Sequence, residues 1–156
     1  MSRFHKILHW IFVAIYIGLF ISAGWKYNHH SPEWIRLTGW GLIAIGTYII
    51  VRASGQRRDV IIKEKNKHVL VTSGLYSFVR HPEYLGHIIL IIGLMIISLH
   101  WLPLTLGIIM IIFLIFAILD EDRIMREAFR EKYSDYASKV PMINIFAGIL
   151  NKLKHK

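Results

Sequence analysis

Val79 to Gly86 of this 156-residue chain read VRHPEYLG, which sets a guanidinium, an imidazole, a carboxylate and a phenol at the mouth of a long apolar run. A second polar cluster, Asp120, Glu121 and Asp122, opens the stretch that follows the next apolar run. Cations of the first cluster suit a carboxylate ligand, and the carboxylates of the second suit an ammonium. Aromatic faces such as Tyr76 and Tyr84 suit a flat ring or a cation. Each cluster also has a purely structural reading. Arg80 and His81 can snorkel from a helix end to the membrane surface, and the three carboxylates can cap the N-terminus of a helix.

The elements that must position these groups are apolar and long. At 54% hydrophobic residues the chain is too apolar for an ordinary soluble domain, and its length suits one unit, taken here as a single domain over 1–156. Four segments have the composition of membrane spans: Ile7–Trp25, Trp34–Val51, Tyr84–Leu99 and Leu102–Leu119. Residues 1–51 hold the first two, with Trp10 and Trp25 at belt positions. Gly39, Gly41, Ala44 and Gly46 in the second would let a neighbouring helix approach closely. The last two are separated only by His100 and Trp101, with Pro103 in the first turn of the fourth, and read as a tight helical hairpin. Lipid demands internally paired backbone, so runs of this length are helices rather than strands. The expected fold is an all-α integral membrane protein with about four transmembrane helices, a C-terminal hairpin and a cytoplasmic amphipathic helix.

Charge placement gives the orientation. All of the 19 lysines and arginines except Lys26 and Arg36 fall before the first segment, between the second and third, or after the fourth. By the positive-inside rule both termini, the central loop and the active site are expected to be cytoplasmic. The net charge of +9 is then a topology signal and an attraction to anionic lipid, and nucleic acid is not needed as a partner. The chain has no cysteine, which removes thiolate nucleophiles and cysteine metal sites. His5, His9, His29, His30 and His155 lie near termini or turns without ligand spacing, and no metal site is expected. His87 follows Tyr84 by three residues on the same helix face and is read as a substrate or cofactor contact.

The central segment, Arg52–Glu83, reads as a polar, broken stretch followed by a loop punctuated by Gly74 and Pro82. After Leu119, the residues Ile124, Met125, Phe129, Tyr133 and Tyr136 fall on one helical stripe of an amphipathic helix, with Arg126, Arg130 and Lys132 elsewhere. A hairpin with a two-residue turn brings Arg80, His81 and Tyr84 near Asp120–Asp122. A zwitterion carrying an aromatic base would use cations, carboxylates and aromatics together, and S-adenosylmethionine has all three features.

His68–Gly86, HVLVTSGLYSFVRHPEYLG, resembles the signature of the isoprenylcysteine carboxyl methyltransferase family, H-x-L-V-T-x-G-x-Y-x-x-x-R-H-P-x-Y. The tail is similar independently. Glu121 and Asp122, then FREKYSDYASKVP from Phe129, match an acidic pair followed by F-G-x-x-Y-x-x-Y-x-x-x-V-P. The resemblance covers the last 90 or so residues, so that 52–156 would hold a cofactor-binding loop, the hairpin and the amphipathic helix. It implies an integral membrane methyltransferase using S-adenosylmethionine. His68, Val69, Leu70 and Val71 would line the adenosine with Tyr76 beside it. His81, Pro82, Glu83 and Tyr84 would hold the amino-acid end with Glu121, and Arg80 would assist with the carboxylate. A carboxylate acceptor needs no base, whereas a thiol or amine would need one, for which Glu121 and His81 are the catalytic candidates.

The chain departs from the pattern at three positions. Ala117 stands where eukaryotic members of the family carry an arginine toward the substrate carboxylate, Asp122 replaces a second glutamate, and Arg130 replaces the glycine after the phenylalanine. The acceptor is expected to be lipid-like, first the carboxylate of an isoprenylated cysteine or an analogue, with a phospholipid amine or a small thiol as alternatives. An NADPH-dependent membrane reductase of the sterol type and a non-catalytic membrane protein are the readings from other classes.

Overall fold

The computed structural model describes residues 13–27, 31–64 and 69–154, and among these the chain is all-α. Helix α1 is described over Val13–Lys26, and its last turn, Ser22–Lys26, is a π-helix. It is followed by α2 (Glu33–Lys63), a short 3-10 turn (Gly74–Ser77), α3 (Pro82–Ser98), α4 (Trp101–Lys139) and α5 (Ile145–Lys154). Two of these, α2 and α4, are long and apolar enough to cross a membrane. Only 11% of the most apolar stretch of α2 and 28% of that of α4 is buried, whereas the core helix of a soluble protein would be covered.

The chain divides into two compact units. The first comprises Met1–Gly46 and Ile88–Ile115, the second Thr47–His87 and Phe116–Lys156. In the first, Leu19, Ala23, Ile91, Leu94, Ile97 and Met110 are fully buried. A methyl group built on Gly39 would lie 2.8 Å from the carbonyl oxygen of Gly93, and one on Gly93 would lie 2.7 Å from that of Gly39. This reciprocal contact holds the backbones of α2 and α3 too close for any side chain at either position. Of the small residues on α2, Gly39 makes this close approach, while Gly41 has open space around it. Leu99 and His100 alone separate α3 from α4, and Gly107 of α4 packs against Met95 of α3. The Ser31 hydroxyl donates to the carbonyl of Ile97, and Tyr27 stacks on His100 with ring centroids 3.8 Å apart.

The second unit departs from the sequence expectation in three respects. Residues 52–63, expected to be polar and broken, are the continuation of α2. Gly55 is the one poor helix former there, and a helix already propagating through 19 residues absorbs it. The carboxylates at 120–122 lie inside α4, where backbone amides are already paired, so the reading of them as an N-terminal cap does not hold. Finally α5, absent from the sequence expectation, begins where the side chain of Asn144 accepts from the amide of Ala147.

Candidate functional site

Two backbone devices shape the site. Pro82 fixes φ in the first turn of α3 and biases His81 toward an extended conformation. The amides of Arg80 and His81 then donate to the carbonyls of Pro141 and Met142, at 2.9 and 3.1 Å. The V-P of the tail and the R-H-P of the central motif are thus one structure, a clamp across 60 residues of sequence. Gly74 has φ +61° and sits against the amide group of Gln56, whose oxygen accepts from the amide of Leu75 at 3.0 Å. A side chain there would be strained and would collide with Gln56.

Inside the second unit lies a cavity of about 660 Å3, the size that holds a cofactor-sized ligand. One wall is the face of α2 made by Ser54, Arg57, Arg58, Ile61 and Ile62, at helical spacing. Val69, Leu70, Val71 and Tyr76 form a second wall. Arg80, His81, Pro82, Glu83 and Tyr84 form a third, and Glu121, Met125, Phe129, Tyr133 and Tyr136 of α4 close it. Every residue expected at the cofactor lines this cavity except His68, which lies outside the described residues, as do His5, His9, His29, His30 and His155. His87 is not among the lining residues, and Ile124 of the expected stripe is half exposed.

The α2 wall escapes the sequence reading because its stretch looks like loop. The spacing of Ser54, Arg57, Arg58, Ile61 and Ile62 carries the signal. On α4, Glu121, Met125 and Phe129 succeed one another at i, i+4. Arg130 then interrupts the helix with φ 46° and ψ −119°, and Tyr133 and Tyr136 beyond it also line the cavity. This is the position where the resembling pattern has glycine, the residue that adopts positive φ without strain.

The polar groups fall into two sets. Asp122 is buried and organises a network: it accepts from Arg80, from the Tyr133 hydroxyl at 2.5 Å and from Arg126 Nε at 3.0 Å. Arg80 is consequently committed to Asp122 and Tyr133. The second set faces the cavity. Glu83 accepts from the Tyr76 hydroxyl at 2.9 Å and pairs with Arg57 at 3.0 Å. The Tyr136 hydroxyl donates to the carbonyl of Tyr76 at 2.5 Å. Burial and the adjacent Glu83 hold the Tyr76 phenol well above its ordinary pKa, so it stays protonated.

Among the described residues, two buried side-chain nitrogens lack a hydrogen-bond partner, Arg80 Nε and His81 Nε2. His81 Nε2 stands 3.6 Å from Asp122, beyond hydrogen-bond length. Burial lowers the His81 pKa below 6.5 against the opposing pull of Glu121 and Asp122, so the imidazole is neutral at pH 7. A buried polar atom left unpaired at a cavity wall calls for a partner, water or ligand, that the described residues do not supply. No group of histidine, aspartate and glutamate among the described residues could hold a metal ion.

Among the described residues the chain is all-α, with two helices of membrane length and a cavity whose lining joins charged, aromatic and aliphatic side chains. The chain belongs to the phospholipid methyltransferase family, whose profile matches residues 34–132. It is similar to the protein-S-isoprenylcysteine O-methyltransferase of Schizosaccharomyces pombe, at 30% identity over 65% of this chain and 45% of the relative. It is also similar to the enzyme of the same name from Saccharomyces cerevisiae, at 36% identity over 64% of this chain and 44% of the relative. A third relative is protein-S-isoprenylcysteine O-methyltransferase B of Arabidopsis thaliana, at 28% identity over 69% and 58%. The chain spans about half the length of these curated relatives. No solved structure matches it. The resemblance read from the two motifs is borne out at the level of the family.

Proposed function

We propose that the chain is a membrane-embedded, S-adenosylmethionine-dependent methyltransferase whose cofactor occupies the cavity between α2, the Val69–Tyr84 segment and α4. The observation that carries this reading is the convergence of both motifs, distant in sequence, on one cavity in which His81 Nε2 is buried and unpaired. The residues present fit the cofactor. Glu121 offers a carboxylate to its ammonium, and His81 with Arg57 and Arg58 offers donors to its carboxylate. Val69, Leu70, Val71, Ile61 and Ile62 give the adenosine an apolar bed. Arg80 then acts chiefly as a buried brace for the loop through Asp122.

When bound, the cofactor supplies a methyl group on a sulfonium, open to in-line displacement. The protein's work is to align and desolvate. Tyr76 and Tyr84 bring aromatic rings to the cavity, which suit a cationic centre. With a thiol or amine acceptor, neutral His81 takes a proton at Nε2 instead of holding the cofactor carboxylate, which Arg57 and Arg58 then hold. For a carboxylate acceptor His81 serves binding alone.

The full arrangement comprises four membrane spans, with α3 and α4 as a hairpin and the cavity on the cytoplasmic side, where the lysine and arginine excess lies. The acceptor we favour is the carboxylate of an isoprenylated cysteine, in line with the names of the relatives. A phospholipid amine is the second reading, supported by the family's name and by Ala117. Labelled methyl donor with purified protein and either an S-prenylated cysteine or phosphatidylethanolamine separates them. A base-labile ester on the former is expected; base-stable label on the lipid amine alone would overturn the prenylcysteine assignment.

A further inference from the structure

The apolar stripe of α5 points the wrong way for a soluble protein. Phe146, Ile149, Leu150 and Leu153, at i, i+3, i+4 and i+7, are 76, 41, 58 and 65% exposed. The opposite face packs on the protein. Gly148 is so close to Phe78 that a methyl group would lie 1.8 Å from its carbonyl oxygen, and Asn151 donates to the carbonyl of Lys139. An amphipathic helix that turns its small and polar face inward and its apolar stripe outward is built for a membrane interface.

Beside it, still within the second unit, is a cleft of about 240 Å3 on the side of α2 away from the cofactor cavity. Its lining carries two cations, Arg52 and Lys152, with Ser77 and Gln56, and no carboxylate. Lys152 Nζ is fixed by the Ser77 hydroxyl at 2.9 Å and by the Phe78 ring at 4.0 Å. Tyr48, which also lines the cleft, and Val51 are 64 and 65% exposed where the apolar part of α2 ends, the depth at which aromatic residues meet headgroups.

We propose that the Arg52–Lys152 cleft binds the phosphate of an anionic phospholipid, with α5 lying in the headgroup layer and its apolar stripe among the acyl chains. Charge complementarity and the outward stripe name the same occupant. A second copy of the chain is disfavoured as a cover for the stripe, since it would bring like charges together at Arg52 and Lys152. The proposal stands apart from the methyl-transfer chemistry, because neither cation lines the cofactor cavity.

The test uses the full chain in phosphatidylcholine nanodiscs carrying a small fraction of spin-labelled phosphatidylglycerol or spin-labelled phosphatidylcholine. We expect a several-fold larger immobilised fraction for the anionic probe, reduced to parity in Arg52→Gln/Lys152→Gln and retained in Arg52→Lys, with the helical circular dichroism of all three proteins unchanged. The absence of cysteine allows a single spin label at Leu150→Cys, which should be more accessible to oxygen than to a water-soluble nickel chelate. Equal immobilisation of the two probes by the wild type, or a preference that survives the double substitution, overturns the proposal. Displacement of the anionic probe by millimolar inorganic phosphate would make the cleft a soluble-anion site instead. A label shielded from both quenchers, with spin coupling between chains, would make α5 a dimer contact and overturn it as well.

Discussion

Asp122 stands in the sequence in a run of three carboxylates from which the family resemblance singles out Glu121; the structure gives each of the three a different place. Asp120 pairs with Arg123 at the surface, Glu121 faces the cavity and Asp122 is buried among Arg80, Arg126 and Tyr133. Three consecutive residues of a helix point about 100° apart, so their different fates follow from the geometry. Which of them turns inward depends on the partner surfaces, which a sequence does not show. Asp122→Asn should lower stability by about 3 kcal/mol, because it leaves the buried Arg80 cation without its counter-charge, and thermal unfolding in detergent will measure it. Arg130→Gly should act the other way, raising stability by about 1 kcal/mol by relieving a positive φ. An unchanged or lower melting temperature would contradict the account of the break in α4. His81 sets a pH dependence. Its folded pKa lies below 6.5, so the stability it contributes is present above pH 6.5 and is lost as the pH falls further. His81→Gln should flatten that part of the stability profile.

At the scale of elements, what was legible was whatever a local pattern could encode. The apolar segments and the punctuation at Gly74 and Pro82 could be read, because composition and φ restrictions act within a few residues, although α3 begins at Pro82 rather than at Tyr84. The extent of α2 through Lys63 could not, since it depends on Ala53 being buried against Val71 and Tyr76, residues distant in sequence. The same holds for α5, whose docking rests on Gly148 meeting the backbone of Phe78. Gly148→Ala should therefore release α5, seen as faster proteolysis between Lys139 and Ile145 in the detergent-solubilised protein. Gly41→Ala, in open space on α2, should leave stability nearly unchanged, whereas Gly39→Ala should lower it by pushing α2 and α3 apart. Equal effects of the two would contradict the close crossing.

For the whole molecule, the exposed apolar flanks of α2 and α4 point to membrane association, and the topology proposed from the placement of lysine and arginine can be tested. The natural absence of cysteine makes topology directly measurable. Ser73→Cys, at an exposed position before the 3-10 turn, should be protected from an impermeant thiol reagent on intact cells, and Leu99→Cys, between α3 and α4, should react. The two motif segments supply the cavity's walls apart from α2, because their chemistry is written in residue type, while the α2 wall depends on packing and was not legible. The central claim is that these segments close on one S-adenosylmethionine site, and calorimetric titration of the detergent-solubilised chain with S-adenosylhomocysteine tests it most directly. The account predicts one site, with binding abolished by Glu121→Ala and by His81→Ala in proteins that remain folded and monodisperse. A folded wild type that takes up no S-adenosylhomocysteine, or variants that bind it as well as the wild type does, would contradict it.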